Sequence, residues 1–358
     1  MTAVVDVVIA GGGTGGHLYP GLALADALAD RGLAVGFVGT AGGIEARVVP
    51  GAGYPLHLLV GQQLRGGGVG RAVAGGVAAL RGVVSGLALL RTLRPKLVVG
   101  VGGYASVAVV LAGWMRRLPT VLLEQNVVPG AATRLLARVA REVCLGFAEA
   151  APYLPYARTV HTGNPLRASV LRATPGPRAP GVGLLVFGGS AGAHRLNEAV
   201  LAAMPALRAS AQLRITHQTG AADLERVRAG YAALGVTARV DPFIDDMGAA
   251  YGAADLVVSR AGAMSCAELT ARGLPAILVP YPFAADDHQR LNAEVLAHAG
   301  AAEVVLDRGL TGDRLAATLR ALLDDPARRT AMANASRSLG RPDAAARVAD
   351  ECLRLLAR

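Results

Sequence analysis

An apolar run of strand length, Val4 to Ala10, ends in Gly11-Gly12-Gly13-Thr14-Gly15-Gly16-His17-Leu18-Tyr19-Pro20-Gly21. Leu22, Leu24, Ala25, Leu28 and Ala29 then follow at helical spacing. A strand, a glycine turn and a helix in immediate succession place the chain among α/β folds, and the free N–H groups and positive dipole end at such a helix start suit a phosphate or sugar phosphate. Pro20 fits a first helical turn and Gly32 a helix end. His17 puts a titratable group at the lip of the turn; taken alone, it reads equally as a solvated or helix-capping residue.

Two common uses of a glycine turn are disfavoured. A Walker loop needs Lys and then Ser or Thr after its last glycine, and here His17 and Leu18 stand there. A dinucleotide site wants an acidic residue at the tip of the second strand, about 20 positions on, to hold a ribose. The second strand, Ala34 to Val38, runs into Gly39-Thr40-Ala41-Gly42-Gly43, which supplies no carboxylate.

Apolar strands alternate with helical patterns along the chain, near residues 3–10, 34–38, 97–101, 119–123, 143–146, 159–161, 183–188, 213–217, 237–241, 255–259, 275–279 and 302–306. Regular βα alternation predicts parallel sheets with helices on both faces. The pattern restarts at Leu184-Leu185-Val186-Phe187 with a second glycine turn, Gly188-Gly189-Ser190-Ala191-Gly192, after a Pro- and Gly-rich linker from Arg172 to Gly181. Two Rossmann-like domains facing a central cleft are expected, with ligands at the carboxyl ends of the strands. The expected bounds are 1–165 and 166–340, with a C-terminal helix in 341–358 that packs back on the first domain. Leu97 to Met115 carries no charge over nineteen residues, yet Gly100-Val101-Gly102-Gly103-Tyr104 interrupts it, so it reads as strand, loop and helix rather than a membrane span.

The net charge is +10, and the 36 basic residues are arginine except Lys96. No interleaved aromatic and basic pattern or nucleic-acid module accompanies it, so nucleic acid is not the expected partner. Anionic lipid or a pyrophosphate substrate fits the charge. Cys144, Cys266 and Cys352 are too dispersed for a disulfide framework or a zinc site, which suggests a reducing compartment. The N-terminus has no basic leader, so it does not read as a signal peptide. No metal site or cofactor is expected.

In the second half, Asp255 to Ser259 reads as a strand, Arg260 to Ala263 as a turn and Met264 to Arg272 as a helix. The N–H groups at Ala263, Met264 and Ser265 suit a diphosphate. Glu268 is placed to accept from ribose hydroxyls, or else it is a solvated helix residue. Asp286-Asp287-His288-Gln289 opens another helix, where His288 and Gln289 bind sugar hydroxyls or cap the helix.

GGTGGHLYPGLALA (12–25), GVGGYAS (100–106), EQNVVPG (124–130), GNPLR (163–167), GGSAGAHRLN (188–197), FIDDM (243–247), RAGAMSCAELTARGLPAILVPYP (260–282) and DDHQRLNA (286–293) occur in register over most of the chain. On these residues the sequence resembles the MurG family, the GT-B enzymes of glycosyltransferase family 28 that convert lipid I to lipid II in peptidoglycan synthesis. The resemblance implies that Thr14, Gly15, Gly16, Asn126, Arg167, Ser190, Ile244, Ala263, Met264, Ser265, Glu268 and Gln289 line a UDP-GlcNAc site. In that picture Ile244 meets the uracil, Glu268 the ribose diol, and Gln289 with Asn126 the GlcNAc hydroxyls. The glycine turns, with Gly13, Gly103, Tyr104 and Ser106, would face the acceptor diphosphate, a lipid-linked MurNAc-pentapeptide. His17 is the candidate general base, with positioning of the acceptor pyrophosphate as its rival role. Many members follow GGYxS with Gly-Pro, whereas Val107-Ala108 stands here.

A lipid-linked acceptor implies an enzyme bound peripherally at the cytoplasmic face of the membrane, with contacts to other cell-wall or division proteins. Arg71, Arg81, Arg91, Arg94 and Lys96 among small apolar residues, and Trp114-Met115-Arg116-Arg117, suit anionic lipid or an arginine-rimmed core helix. An epimerase or a non-catalytic nucleotide-sugar binder of the same fold remains the alternative.

Overall fold

The computed structural model describes residues 5–59, 69–172, 180–207 and 212–357, and the side chains of 69–79 are not described. The expected linker at 173–179, the first-strand positions 3 and 4, and the Arg71 side chain therefore lie outside the described residues.

Two compact units emerge, one of Met1–Arg167 with Pro342–Arg358 and the other of Ala168–Arg341. The first holds β1 Val7–Gly11, β2 Val35–Gly39, β3 Leu56–Leu58, β4 Leu97–Gly102, β5 Thr120–Glu124, β6 Glu142–Leu145 and β7 Thr159–His161. These form one sheet in the order β3-β2-β1-β4-β5-β6-β7, with parallel pairing throughout. The second holds β8 Val182–Phe187, β9 Leu213–Gln218, β10 Ala238–Asp241, β11 Leu256–Ser259, β12 Ala276–Leu278 and β13 Ala302–Val304, ordered β10-β9-β8-β11-β12-β13 and again parallel. Both sheets reverse their strand order beside the first strand of the unit, between β1 and β4 and between β8 and β11. A parallel doubly wound sheet opens a ligand crevice at the carboxyl ends of such a pair.

Central strands buried on both faces read as unbroken apolar runs, as β1 does: all five of its residues are buried. The short, half-exposed edge strand β3, Leu56-His57-Leu58, has no counterpart among the expected strands. Pro20 is a second departure. The first helix runs Gly15–Ala29, so Pro20 lies inside it rather than in its first turn. A proline there removes one donor and faces the carbonyl of Gly16. The helix tolerates this near its start, where His17 N and Leu18 N both bond Thr14 O, at 3.3 and 3.1 Å. The helix Ala344–Leu356 belongs to the first unit, where Val348, Ala349 and Cys352, all fully buried, join Leu18, Leu24, Leu28 and Cys144 in one core. Arg354 meets the buried Glu142 on β6, and Arg31 meets Asp350 at 2.7 Å.

The second unit contains a closed polar chain. Asn197 Nδ2 donates to Thr219 O and to Asp223 Oδ2, which leaves its Oδ1 to accept from His217 Nε2 at 3.0 Å. His217 Nε2 therefore carries the proton, and Nδ1 accepts from the Tyr231 hydroxyl at 3.0 Å. Burial, only partly countered by Asp223, pushes the His217 pKa down to about 4. A folded pKa below the unfolded value means that the neutral ring's stabilisation is complete above about pH 6.5 and is lost as the pH falls towards 4. Unfolding measured between pH 7 and 4 should lose about 3 kcal/mol through this group. His217→Gln should remove that component, and a wild-type advantage over the variant that stays constant with pH would contradict the assignment.

Candidate functional site

Each unit places a glycine turn and a helix start at its own strand-order reversal. In the first unit, pairing of β1 with β4 slips between Ala10, opposite Gly100, and Gly11, opposite Gly102. The two glycine turns then touch backbone to backbone. A Cβ on Gly11 would lie 2.4 Å from Gly102 O, and one on Gly103 would lie 2.8 Å from Gly12 O. Gly102, at φ +105°, also receives the imidazole of His17, whose Cδ2 would be 2.7 Å from an added Cβ. Thr14 Oγ1 stands 3.4 Å from His17 Nδ1. Thr14 and Gly16 are exposed, and Gly13, Gly15 and His17 are half-buried.

Other motif residues hold this turn region from the neighbouring strands. Gln125, buried at the end of β5, donates to Val101 O at 3.2 Å, and Asn164 Nδ2 donates to Gln125 O at 3.0 Å. Buried Glu124 accepts from Asn126 N at 3.0 Å and Gly130 N at 3.2 Å, which fixes the loop that presents half-buried Asn126. The Arg167 guanidinium lies 4.3 Å from the ring centroid of Tyr19. Tyr104 sends its hydroxyl towards Gly82, on the helix Val69–Leu93. Ser106 is 1 % exposed, with its hydroxyl turned back to Gly100, so it packs the turn rather than presenting a group to a ligand.

The glycine turn itself corrects one expectation. A carboxylate does serve the tip of β2: Glu45, 1 % exposed, accepts from Gly13 N at 2.8 Å through Oε2, and from Thr40 N and Thr40 Oγ1 at 3.0 and 2.9 Å through Oε1. Burial alone would raise its pKa, but these donors outweigh burial and hold the carboxyl below the usual carboxylate range. Both oxygens are engaged by the protein's own donors, unlike those of a ribose-binding acid. The signal in the sequence was only a cluster of glycines around the acid.

In the second unit the helix Ala263–Arg272 starts at the carboxyl end of β11, and no side chain caps it. Ala263 is buried, while Met264, Ser265 and Glu268 are half-buried. Glu268 Oε2 accepts from the Tyr251 hydroxyl at 2.8 Å, a partner with no signal in the sequence. Ser190 is exposed on the turn after β8, while the Ile244 side chain is 5 % exposed. Gln289 Oε1 accepts from Tyr281 N at 3.0 Å, which directs its amide group away from that loop. No side chain caps the helix His288–His298; Asp286 and Asp287 take left-handed φ of 50° and 53°, and Asp287 pairs with Arg290. Arg260 is no anion receptor, because its Nη1 bonds Val279 O, Pro280 O and, at 2.7 Å, Asp307 Oδ2. Among the described residues no group of three or more His, Cys, Asp or Glu is placed to hold a metal.

The glycosyltransferase family 28 N-terminal domain profile matches residues 7–145, and the family 28 C-terminal domain profile matches residues 183–348. The UDP-N-acetylglucosamine--N-acetylmuramyl-(pentapeptide) pyrophosphoryl-undecaprenol N-acetylglucosamine transferase of Anaeromyxobacter dehalogenans is 47% identical over 357 residues, covering 98% of this chain and 93% of that protein. The crystal structure of Acinetobacter baumannii MurG superposes with a TM-score of 0.81 at 32% identity, over 98% of this chain and 99% of the other. The chain belongs to the MurG family of glycosyltransferase family 28. A relative of the same name in Geobacter sulfurreducens is 46% identical over 97% of this chain and 98% of its own length. The UDP-GlcNAc 2-epimerase of Neisseria meningitidis, at a TM-score of 0.70 and 14% identity over 98% of this chain and all of the other, shares the fold alone.

Gly102→Ala should lower transferase turnover on the order of 10²-fold, because a misplacement of about 1 Å at a catalytic group costs that much. Gly32→Ala has a comparable backbone penalty at φ +79° with nothing within 4 Å, so it should reduce only thermal stability. Equal turnover losses in the two variants would sink the account of His17 packing.

Proposed function

We propose that the chain is an inverting hexosyltransferase that moves GlcNAc from UDP-GlcNAc to the C4 hydroxyl of MurNAc in undecaprenyl-pyrophosphoryl-MurNAc-pentapeptide, turning lipid I into lipid II. The observation that carries the reading is 47% identity over 98% of the chain to a transferase of that name, with each unit bringing its own chemistry to its own strand-order reversal. One has the imidazole of His17. The other has an uncapped helix start followed by Glu268.

In this reading the acceptor O4 attacks the anomeric carbon as the bond from that carbon to the UDP oxygen breaks, with inversion. His17 takes the hydroxyl proton, a contribution on the order of 10²–10⁴-fold. The amides at Ala263, Met264 and Ser265, with Ser190, meet the charge that grows on the leaving diphosphate. Glu268, oriented by Tyr251, binds the ribose diol, and Ile244 borders the uracil. Gln289 and Asn126 bind GlcNAc hydroxyls, Arg167 and the turn Thr14-Gly15-Gly16 complete the donor contacts, and Gly13, Gly103 and Tyr104 border the acceptor.

The rival epimerase forms a ManNAc product without an acceptor, with UDP released if it hydrolyses the donor, so UDP release followed together with ManNAc formation separates the readings. Release from UDP-GlcNAc should depend on a lipid I analogue. His17→Asn should cut kcat by about 10²-fold or more with donor affinity kept, and Glu268→Ala should raise the donor KM. Acceptor-independent release, or near-normal turnover of His17→Asn, counts against the respective assignment.

The lipid acceptor also requires contact with a membrane surface. No described helix is long and apolar enough to cross a membrane. The helices Val69–Leu93 and Tyr104–Met115 pack together and expose Leu80, Val84, Trp114 and Met115, with Arg81, Arg116 and Arg117 also exposed. Such a mixture suits peripheral binding to anionic phospholipid. Co-sedimentation with anionic vesicles should weaken in high salt and in Trp114→Ser; binding indifferent to salt and lipid charge would defeat this assignment.

A further inference from the structure

The turn that leads to His17 is braced from behind by a carboxylate for which the chain makes unusual room. An added Cβ would come within 2.4 Å of Glu45 Cδ at Gly12, within 2.5 Å of Glu45 Cγ at Gly39 and within 2.0 Å of Glu45 Oε2 at Gly43. Three glycines, on two separate turns, thus enclose one side chain. Its oxygens join those turns, since Oε2 holds Gly13 N while Oε1 holds Thr40 N and the Thr40 hydroxyl. A buried carboxylate with three donors is a strong, directional brace, and removing any donor leaves part of its charge uncompensated.

We propose that Glu45 is a positioning residue for His17. It anchors Gly13, the residue before the helix N-cap Thr14, and so fixes the start of the helix Gly15–Ala29 that carries the imidazole. The same contact has an electrostatic consequence. An internal anion already occupies the Gly13 amide, so this amide works as a mount for the base and is withheld from the phosphates of either substrate. The assignment rests on the reading of His17 as the base.

The isosteric Glu45→Gln replaces one acceptor oxygen by a donor. Whichever way the amide turns, an N–H group must face either Gly13 N–H or the Thr40 donors. The test is kinetics on the full chain with UDP-GlcNAc and a lipid I analogue, in a double-mutant cycle of Glu45→Gln with His17→Asn. Glu45→Gln should lower kcat at least tenfold and leave the donor KM within twofold, and in the His17→Asn background it should have no further effect on kcat. Thr40→Val, a milder lesion that keeps the carboxylate, should lower kcat severalfold, and Thr40→Ser, which retains the hydroxyl, should lose less. This series decides the matter if Glu45→Gln does not fold. Losses that multiply in the double variant, a loss expressed in donor KM alone, or Thr40→Val and Thr40→Ser behaving alike would overturn the proposal with the His17 reading intact. Near-normal turnover of His17→Asn by itself would remove that reading, and the positioning role with it.

Discussion

The first unit is organised around a place where two strand ends meet with no side chain between them. Parallel strands about 4.8 Å apart ordinarily keep their following turns separated by side chains. Here the ends of β1 and β4 turn towards each other, and Gly11, Gly102 and Gly103 let main chain touch main chain at distances that any Cβ would violate. The imidazole of His17 lies against this contact, and Gln125, just after β5, with Asn164, after the edge strand β7, serve as hydrogen-bonding struts. Glycine costs conformational entropy at such positions, and the interlocked backbone is what that cost maintains.

The second unit reaches a similar arrangement with different parts. Gly192 and Gly220 approach across the turn after β8, where a Cβ on Gly192 would fall 2.1 Å from Thr219 O. Asn197 ties the same Thr219 carbonyl to the helix His194–Leu207. Across the sheet, Arg260 gathers the ends of β11 and β12 and the segment after β13, with its charge balanced by Asp307, which also meets Arg195 at 2.8 Å. In each unit a buried charge, Glu45 in one and Arg260 in the other, is committed to the protein's own groups. In the proposed reading, the groups that act on a ligand are ones whose strength comes from orientation: an imidazole in the first turn of a helix, a helix start and a carboxylate bonded by Tyr251.

Local signals in the sequence carried far. Apolar runs announced all the strands except β3, and the equally short and half-exposed edge strand β7 was legible all the same. The glycine turns and the restart at Leu184 announced the doubled architecture, because a strand, its turn and the next helix start are contiguous in the chain. Pro20 was misplaced by a few residues, since the helix begins on the glycines themselves and the spacing of apolar residues is silent there.

What the sequence determined by itself was therefore the fold class, the two glycine turns with His17 beside one of them, and the helix bearing Glu268, all set by residues within about a helical turn or a strand length of each other. Tertiary structure alone decided the partners. Glu45 reaches Gly13 from 32 positions away, Tyr251 meets Glu268 from the preceding helix, and Arg354 finds Glu142 across 212 residues. Periodicity reports which face of an element is buried, but hydrogen bonds between elements depend on how the sheet brings distant strand ends together. For that reason the acid behind the turn, hidden among glycines that were legible only as flexible punctuation, became visible once the chain was folded.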